Sequence, residues 1–154
     1  MRIGCRVLLI LLLFPFLLSA CENVKHNVSQ GEPGMLAVNW KYYATNAEGE
    51  PLFYDTQSIS RDQDSVMVMI KIVLTDKDKA DLIKEFHDKN GIENISYMIN
   101  RGEMDCLEHR CRFTSTVLYS SDGSVISSFN DPNRQFTEVM PNSVGDCLSK
   151  AICE

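Results

Sequence analysis

The residues of this 154-residue chain with the most chemical potential are its six cysteines, at positions 5, 21, 106, 111, 147 and 153. A cysteine sulfur can be alkylated, can form a disulfide or can bind a soft metal ion, and its compartment and spacing decide which. The chain contains no C-x-x-C pair and no C-x-x-C-H sequence, so a thioredoxin-like redox site and covalent haem attachment are excluded. Two questions remain: whether Cys21 near the amino terminus is alkylated, and whether the cysteines of the folded domain form disulfides or bind a metal ion.

Cys21 follows a segment with the composition of a secretion signal. Two arginines precede an apolar run over residues 7–18, which is about twelve residues long, whereas a membrane-spanning helix needs roughly 20. The sequence LSAC over residues 18–21 resembles the lipobox of bacterial lipoproteins, which implies a diacylglyceryl group on the Cys21 thiol. We therefore predict that residues 1–20 are a lipoprotein signal peptide. An ordinary signal peptide, cleaved before a plain thiol, is the alternative.

Residues 21–34 are predicted to form a flexible tether from lipidated Cys21, because they are polar, lack periodicity and end in Gly-Glu-Pro-Gly. Fully extended, this tether reaches roughly 40 Å. Two or three acyl chains on one cysteine hold a protein at a membrane, since each buried methylene contributes ~0.8 kcal/mol. Glu22 does not match the aspartate associated with inner-membrane retention, which favours the outer membrane, on its surface or its periplasmic face.

Four cysteines belong to the domain over residues 35–154, and an exported domain usually meets an oxidising compartment. They allow three disulfide pairings, and spacing alone does not choose among them. Cross-pairing of the two early cysteines with the two late ones closes loops of roughly 35 to 50 residues, worth on the order of 4 kcal/mol each, and is therefore favoured. A zinc site that includes His109 is the alternative, although its spacing differs from zinc ribbons. The four residues are Cys106, Cys111, Cys147 and Cys153.

The remaining polar residues form no recognisable catalytic arrangement. The chain has no G-x-S-x-G, H-E-x-x-H, glycine-rich phosphate loop or EF-hand loop, so we predict no enzyme, no cofactor and no metal. Without the two leader arginines, 13 basic and 21 acidic residues give a net charge of −8. That charge argues against nucleic-acid binding.

Three aromatic residues near the start of the domain, Trp40, Tyr42 and Tyr43, are candidates for a binding platform. They lie in a β-rich segment over residues 36–45. One face of such a strand commonly packs into the core, so burial of these rings is the alternative interpretation.

The elements that must position these residues are mostly strands. Residues 65–74 predict the strongest one, because Val66 to Leu74 alternate on one face while Met67 and Met69 make the other face apolar too. Such a strand is expected at the centre of a sheet, with a helix on one side. The following segment predicts a helix that begins at Thr75 or Asp76 and stops at Gly91.

The second half of the domain predicts a β-hairpin and a final helix. An extended segment over residues 92–100 and a bend or bulge at Arg101-Gly102 precede one long strand over Met104–Tyr119. Asp122-Gly123 then predicts a hairpin turn. The last helix is expected to begin after Pro141-Asn142-Ser143 and to run to Ile152.

The order and spacing of several residues resemble the surface-adhesin protein E family over residues 36–153. They are Trp40, Tyr54-Asp55, Ile59, Val66, Val68, Lys71, Asp105-Cys106, Asp122-Gly123, the Pro141–Gly145 segment and Ala151–Cys153. The resemblance implies an α+β fold in which a carboxyl-terminal helix packs on an antiparallel sheet, with the mid-chain helix as an addition. It also implies a disulfide between Cys106 and Cys153, which leaves Cys111 to pair with Cys147.

The resemblance further implies a lipid-anchored surface protein that binds extracellular-matrix and serum proteins and forms dimers. We therefore predict a non-catalytic envelope binding protein, with an adhesin E-like domain over residues 35–154, that captures extracellular proteins. The alternative is a periplasm-facing accessory or inhibitor lipoprotein, similar to a lysozyme inhibitor.

Overall fold

The structure is a computed structural model, and it describes residues 38–63 and 65–154. The predicted signal peptide over residues 1–20, the tether over residues 21–34 and the lipidation site Cys21 lie outside the described residues. The strands are β1 (Trp40–Thr45), β2 (Pro51–Asp55), β3 (Ser60–Asp62), β4 (Ser65–Val73), β5 (Ile95–Asp105), β6 (Arg110–Ser120), β7 (Val125–Asn130) and β8 (Thr137–Glu138). The helices are α1 (Asp76–Glu85), a short 3-10 helix (Ile92–Asn94) and α2 (Val144–Ile152).

These strands form one sheet in the order β1-β2-β4-β5-β6-β7, and every pair is antiparallel. Strand β3 continues the pairing of β2 along the same edge of β4, and β8 continues the pairing of β7 along β6. The predicted α+β fold is confirmed, with its antiparallel sheet, its mid-chain helix and its carboxyl-terminal helix.

Strand β4 lies in the interior of the sheet, as its alternating pattern predicts. Val66, Val68 and Ile70 are buried, and Ile70 has no exposed surface. Met67 and Met69 point to the other face and are half-buried. Burial along the neighbouring strands does not follow one face: Tyr97 and Ile99 of β5 lie on the same face as Met67 and Met69 and are buried, and in β6 only Leu118 and Ser120 are buried.

Helix α1 begins where the sequence predicts but ends earlier. The Thr75 hydroxyl caps it by accepting a hydrogen bond from the backbone N–H of Asp78 at 3.2 Å. The helix ends at Glu85 and not at Gly91, because Phe86 leaves it to bury its ring 5.5 Å from that of Phe129. Gly91 does adopt the left-handed conformation, at φ 81°, but it precedes the 3-10 helix.

The single long strand expected over Met104–Tyr119 is instead two strands joined by a turn. The Asp105 carboxylate accepts a hydrogen bond from the Glu108 N–H at 2.9 Å, and Arg110 pairs with the same carboxylate at 2.7 Å. His109 completes the turn at φ 50°. The turn contains neither glycine nor proline, and Asp105 at its first position is its main sequence signal.

The other local predictions are confirmed. The register between β5 and β6 shifts at Arg101 and Gly102, which is the expected bulge. Gly123 has φ 84° in the β6–β7 hairpin, where hydrogen bonds from Ser120 and Ser124 lower the pKa of Asp122 to about 2. Ser143 caps α2 by accepting a hydrogen bond from the Asp146 N–H.

Both helices pack on the same face of the sheet, which we call the helix face. One cross-strand row on this face runs through Tyr54, Ile70, Asn100, Thr116 and Phe129. Its first two residues belong to the cluster under α2 and its last to the cluster near α1. The Thr116 hydroxyl donates a hydrogen bond to the Asn100 side chain at 2.7 Å between the two clusters. The core is therefore one layer divided by a buried polar pair.

Candidate binding surface of the sheet

The face of the sheet opposite the helices, which we call the open face, is the candidate binding surface. Within the described residues, both helices direct their apolar side chains into clusters on the helix face. The open face therefore depends on its own side chains for cover. Its central rows are Phe53, Lys71, Ile99 and Val117; Val73, Tyr97 and Tyr119; and Met69, Arg101 and Ser115.

Aromatic pairs occupy two positions on the open face. Near its centre, the rings of Tyr97 and Tyr119 stack with centroids 5.0 Å apart, and the Lys71 ammonium lies 4.2 Å from the centroid of Tyr97. Near the β1 edge, Tyr42 and Phe53 meet edge to face at 5.8 Å. Tyr97 is buried, whereas Tyr119, Tyr42 and Phe53 are half-buried and reach solvent.

The three aromatic residues predicted as one platform do not share a face. Strand alternation puts the Tyr43 side chain on the helix face, where it packs beside Tyr54, and a bulge between Tyr42 and Ala44 puts Ala44 on that face as well. Burial raises the pKa of the Tyr43 hydroxyl, and nearby Cys111 raises it further. Trp40 and Tyr42 lie on the open face by strand alternation, whereas Tyr43 packs against the core. Only two of the three predicted residues can therefore belong to a binding platform on the open face.

The charges of the open face are distributed unevenly. Arg112 pairs with Glu103 at 2.7 Å, and both arginines of β6 that flank Cys111 lie against the ring of Phe136. Arg101 is exposed near the middle of the face and donates a hydrogen bond to the Met67 sulfur at 3.4 Å. No carboxylate of the described residues pairs with Arg101, which therefore leaves a positive charge beside the aromatic rows.

The predicted disulfide between Cys106 and Cys153 is confirmed. Its Cα atoms are 5.7 Å apart, and it joins the turn after β5 to the end of α2. Both cysteines pack against the cluster under α2. The bond thus holds the carboxyl-terminal helix on the sheet.

The predicted disulfide between Cys111 and Cys147 is wrong. Cys111 has a free thiol, with its pKa raised by burial, and Cys147 is disulfide-bonded, so the two are not bonded to each other.

A metal site is the alternative that the sequence leaves open for the cysteines. Across residues 38–63 and 65–154, no group of three or more histidine, cysteine, aspartate or glutamate side chains is arranged to hold a metal ion. The Cys106 sulfur is consumed in a disulfide, so it is unavailable to a zinc site with His109. The open face instead offers contact area, aromatic rings and the exposed guanidinium of Arg101.

A comparison with family models matches residues 40–154 to the family described as surface-adhesin protein E. The chain belongs to this family. No curated protein matches the chain in sequence. Membership in the surface-adhesin protein E family indicates an adhesin-like role, a place at the cell surface and a non-enzymatic protein. Neither described helix is long and apolar enough to cross a membrane.

Sequence reasoning missed most of the residues that form the open face of this family member. Phe53, Tyr119 and Arg101 lie in strands whose partners are distant in sequence, so their proximity depends on register. One signal was present, because the apolar second face of β4, with Met67 and Met69, already indicated a partly covered surface there.

Proposed function

We propose that the chain is a lipid-anchored, non-catalytic surface adhesin that captures extracellular proteins on the open face of its sheet. The composition of that face is the observation that supports this proposal most directly: aromatic rings, methionines and Arg101 stand where no described helix covers them. Protein interfaces are enriched in aromatic residues, methionine and arginine. The partner that fits is a protein surface with an acidic group for Arg101 beside apolar side chains.

The rest of the domain supports such a role by holding the open face in place. The disulfide and both helices brace the sheet from its helix face, and the central strands β4, β5 and β6 are paired over nearly their whole lengths. A surface that is ordered before binding loses less conformational entropy when the partner arrives.

The proposal places the anchor at the amino terminus. Residues 1–20 are the signal peptide, Cys21 carries the lipid, residues 21–34 are the tether, and residues 35–154 are the binding domain. Strand β1, the first described strand, lies at an edge of the sheet. The chain therefore enters the domain at that edge, away from the central rows of the open face.

The anchor predicts a specific mass. Intact mass spectrometry of the unreduced mature protein is expected to show a chain that begins at Cys21 with acyl chains attached. The matched control, Cys21→Ser, is expected to lose both the acyl mass and the membrane attachment, because only a thiol is alkylated. One sulfur cannot form a thioether and a disulfide together. A peptide in which Cys21 is cross-linked to Cys147 would therefore contradict the anchor and leave the family fold intact.

The open face predicts which substitutions weaken capture. Arg101→Ala and Tyr119→Ala are each expected to reduce affinity for the captured protein by about tenfold or more, because hot-spot truncations cost more than about 1.4 kcal/mol. Lys84→Ala is the control, since Lys84 is exposed on α1. Surface plasmon resonance against purified extracellular-matrix and serum proteins measures the affinities. Equal losses for all three variants, or no binding by the wild type, would refute the assignment.

Two further measurements separate the remaining alternatives. Protease added to intact cells should remove a surface-exposed domain. Survival of the domain until lysis would favour a periplasm-facing accessory or inhibitor lipoprotein, similar to a lysozyme inhibitor. Sedimentation velocity of the wild type tests the proposed homodimer.

A further inference from the structure

The turn between β1 and β2 contains a buried carboxyl group that the open face does not use. Glu50 is only 5% exposed, and Asn46 beside it is 8% exposed. The Asn46 amide donates a hydrogen bond to Glu50 Oε2 at 2.7 Å, and the Glu50 N–H donates to Asn46 Oδ1 at 2.8 Å. These two residues also exchange a backbone hydrogen bond, so the Glu50 side chain is held in a defined position.

The other carboxylate oxygen of Glu50 is not satisfied. Its Oε1 atom is buried and has no hydrogen-bond partner. The Glu50 carboxyl group meets the first turn of α1, where it interacts with the Asp78 carboxyl group and with the backbone N–H of Thr75. Asp78 is in turn hydrogen-bonded to the Thr75 hydroxyl of the helix cap. A buried acceptor without a donor, facing a second carboxyl group, is the arrangement that one shared proton would complete.

We propose that a proton shared between the carboxyl groups of Glu50 and Asp78 fastens the β1–β2 turn to the amino end of α1, and that loss of this proton releases the turn. With the proton in place, Glu50 donates a hydrogen bond to Asp78 and its orphan oxygen is satisfied. Without it, two carboxylates face each other in a buried site.

The direction of this pH dependence follows from the surroundings of Glu50. Burial, first, and the Asp78 charge raise the pKa of Glu50 from 4.5 to about 7, against the opposing hydrogen bonds from Asn46 and Thr75. A raised pKa in the folded state means that its contribution to stability is present below 4.5 and is lost as the pH rises through about 7. No lysine or arginine of the described residues forms an ion pair with Glu50, and Glu48 of the same turn adds another acid.

Loss of the shared proton would affect the open face through the β1–β2 hairpin. Tyr42 precedes the turn and Phe53 follows it, and these rings form the aromatic pair at the edge of the open face. Release of the turn would therefore loosen that pair while the centre of the sheet stays in place. This regulation goes beyond the proposed capture function and can be measured without a captured protein.

Hydrogen–deuterium exchange tests whether the proton shared by Glu50 and Asp78 fastens the β1–β2 turn to α1. After correction for the intrinsic exchange rate, exchange in residues 46–50 and in the first turn of α1 is expected to rise by up to about tenfold per pH unit between pH 4.5 and about 7 and to level off at higher pH, because opening releases one proton only in that range. Glu50→Gln should abolish this dependence, since the glutamine amide donates to Asp78 at every pH. Asp81→Asn, an exposed acid on the same helix, should retain it.

Two results would overturn the proposal. One is a Glu50→Gln variant with the same pH dependence as the wild type. The other comes from NMR titration of the Glu50 side-chain carboxyl carbon in the wild type, if the midpoint lies near 4.5. The second measurement needs no variant, so it decides the question even if Glu50→Gln fails to fold.

Discussion

Replacing Cys106 and Cys153 together with alanine is expected to lower the free energy of unfolding by about 4 kcal/mol, because the cross-link spans 47 residues. Opening this loop restores entropy to the unfolded chain. In the folded chain, the same bond fixes the end of α2 to the turn after β5. Urea denaturation of the oxidised protein, followed by circular dichroism, measures the change.

The matched control for this pair is Cys111→Ala. Cys111 packs against the same cluster but has a free thiol, so its replacement removes a buried side chain and no cross-link. We expect it to cost roughly 1 kcal/mol, from lost burial alone. Equal losses for the single and the double variant would show that the disulfide contributes little beyond its packing.

Replacing Ile70 with alanine is expected to cost roughly 2 to 5 kcal/mol of stability, because its fully buried side chain would leave a cavity under α2. The neighbouring Met69→Ala is the control, since Met69 points to the open face and is only half-buried. Chemical denaturation should show a clearly smaller loss for Met69→Ala. Similar losses would mean that the two faces of β4 are packed alike, which contradicts the assignment of one core layer.

Gly102 provides an internal check on the position of Ile70. A Cβ atom at Gly102 would lie 2.8 Å from Ile70 Cδ1, so Gly102→Ala alone is expected to cost about 1 to 3 kcal/mol through overpacking. In the Ile70→Ala background that Cδ1 atom is gone, and the same substitution should cost much less. If the losses of unfolding free energy in the two single variants simply add in the double variant, the Cβ atom at position 102 does not contact Ile70 Cδ1.

Local features of this fold could be predicted because they depend on neighbouring residues. The alternation along β4 follows from period two, and Thr75 and Ser143 cap the two helices with their hydroxyls as their positions indicate. Gly123 marks the hairpin because a left-handed turn favours glycine. Each of these signals spans only a few positions.

Other features depend on contacts that no short segment contains. The end of α1 at Glu85 is set by the burial of Phe86 against Phe129 in a distant strand. There tertiary packing overrides the local preference for a longer helix. The turn at residues 106–109 is a different case, because Asp105 holds it through the nearby Glu108 and Arg110, and that local signal is weak without glycine or proline.

The cysteines also differ in how far their bonding could be predicted from the sequence. Their number and the apparent export signal predict disulfides, and the family resemblance implies the Cys106–Cys153 bond that the structure contains. The free thiol of Cys111 could not be predicted, because spacing along the chain leaves several pairings open and only the tertiary structure decides which sulfurs meet.

The sequence by itself determined one β-rich domain that ends in a helix bearing cysteines, and it predicts a lipoprotein leader before that domain. Only the tertiary structure decided that both helices cover one face, which leaves Tyr119 and Arg101 uncovered on the other, and that Glu50 meets Asp78. The physical reason is that strand order and register bring together residues far apart in the chain, whereas sequence patterns report only the preferences of near neighbours.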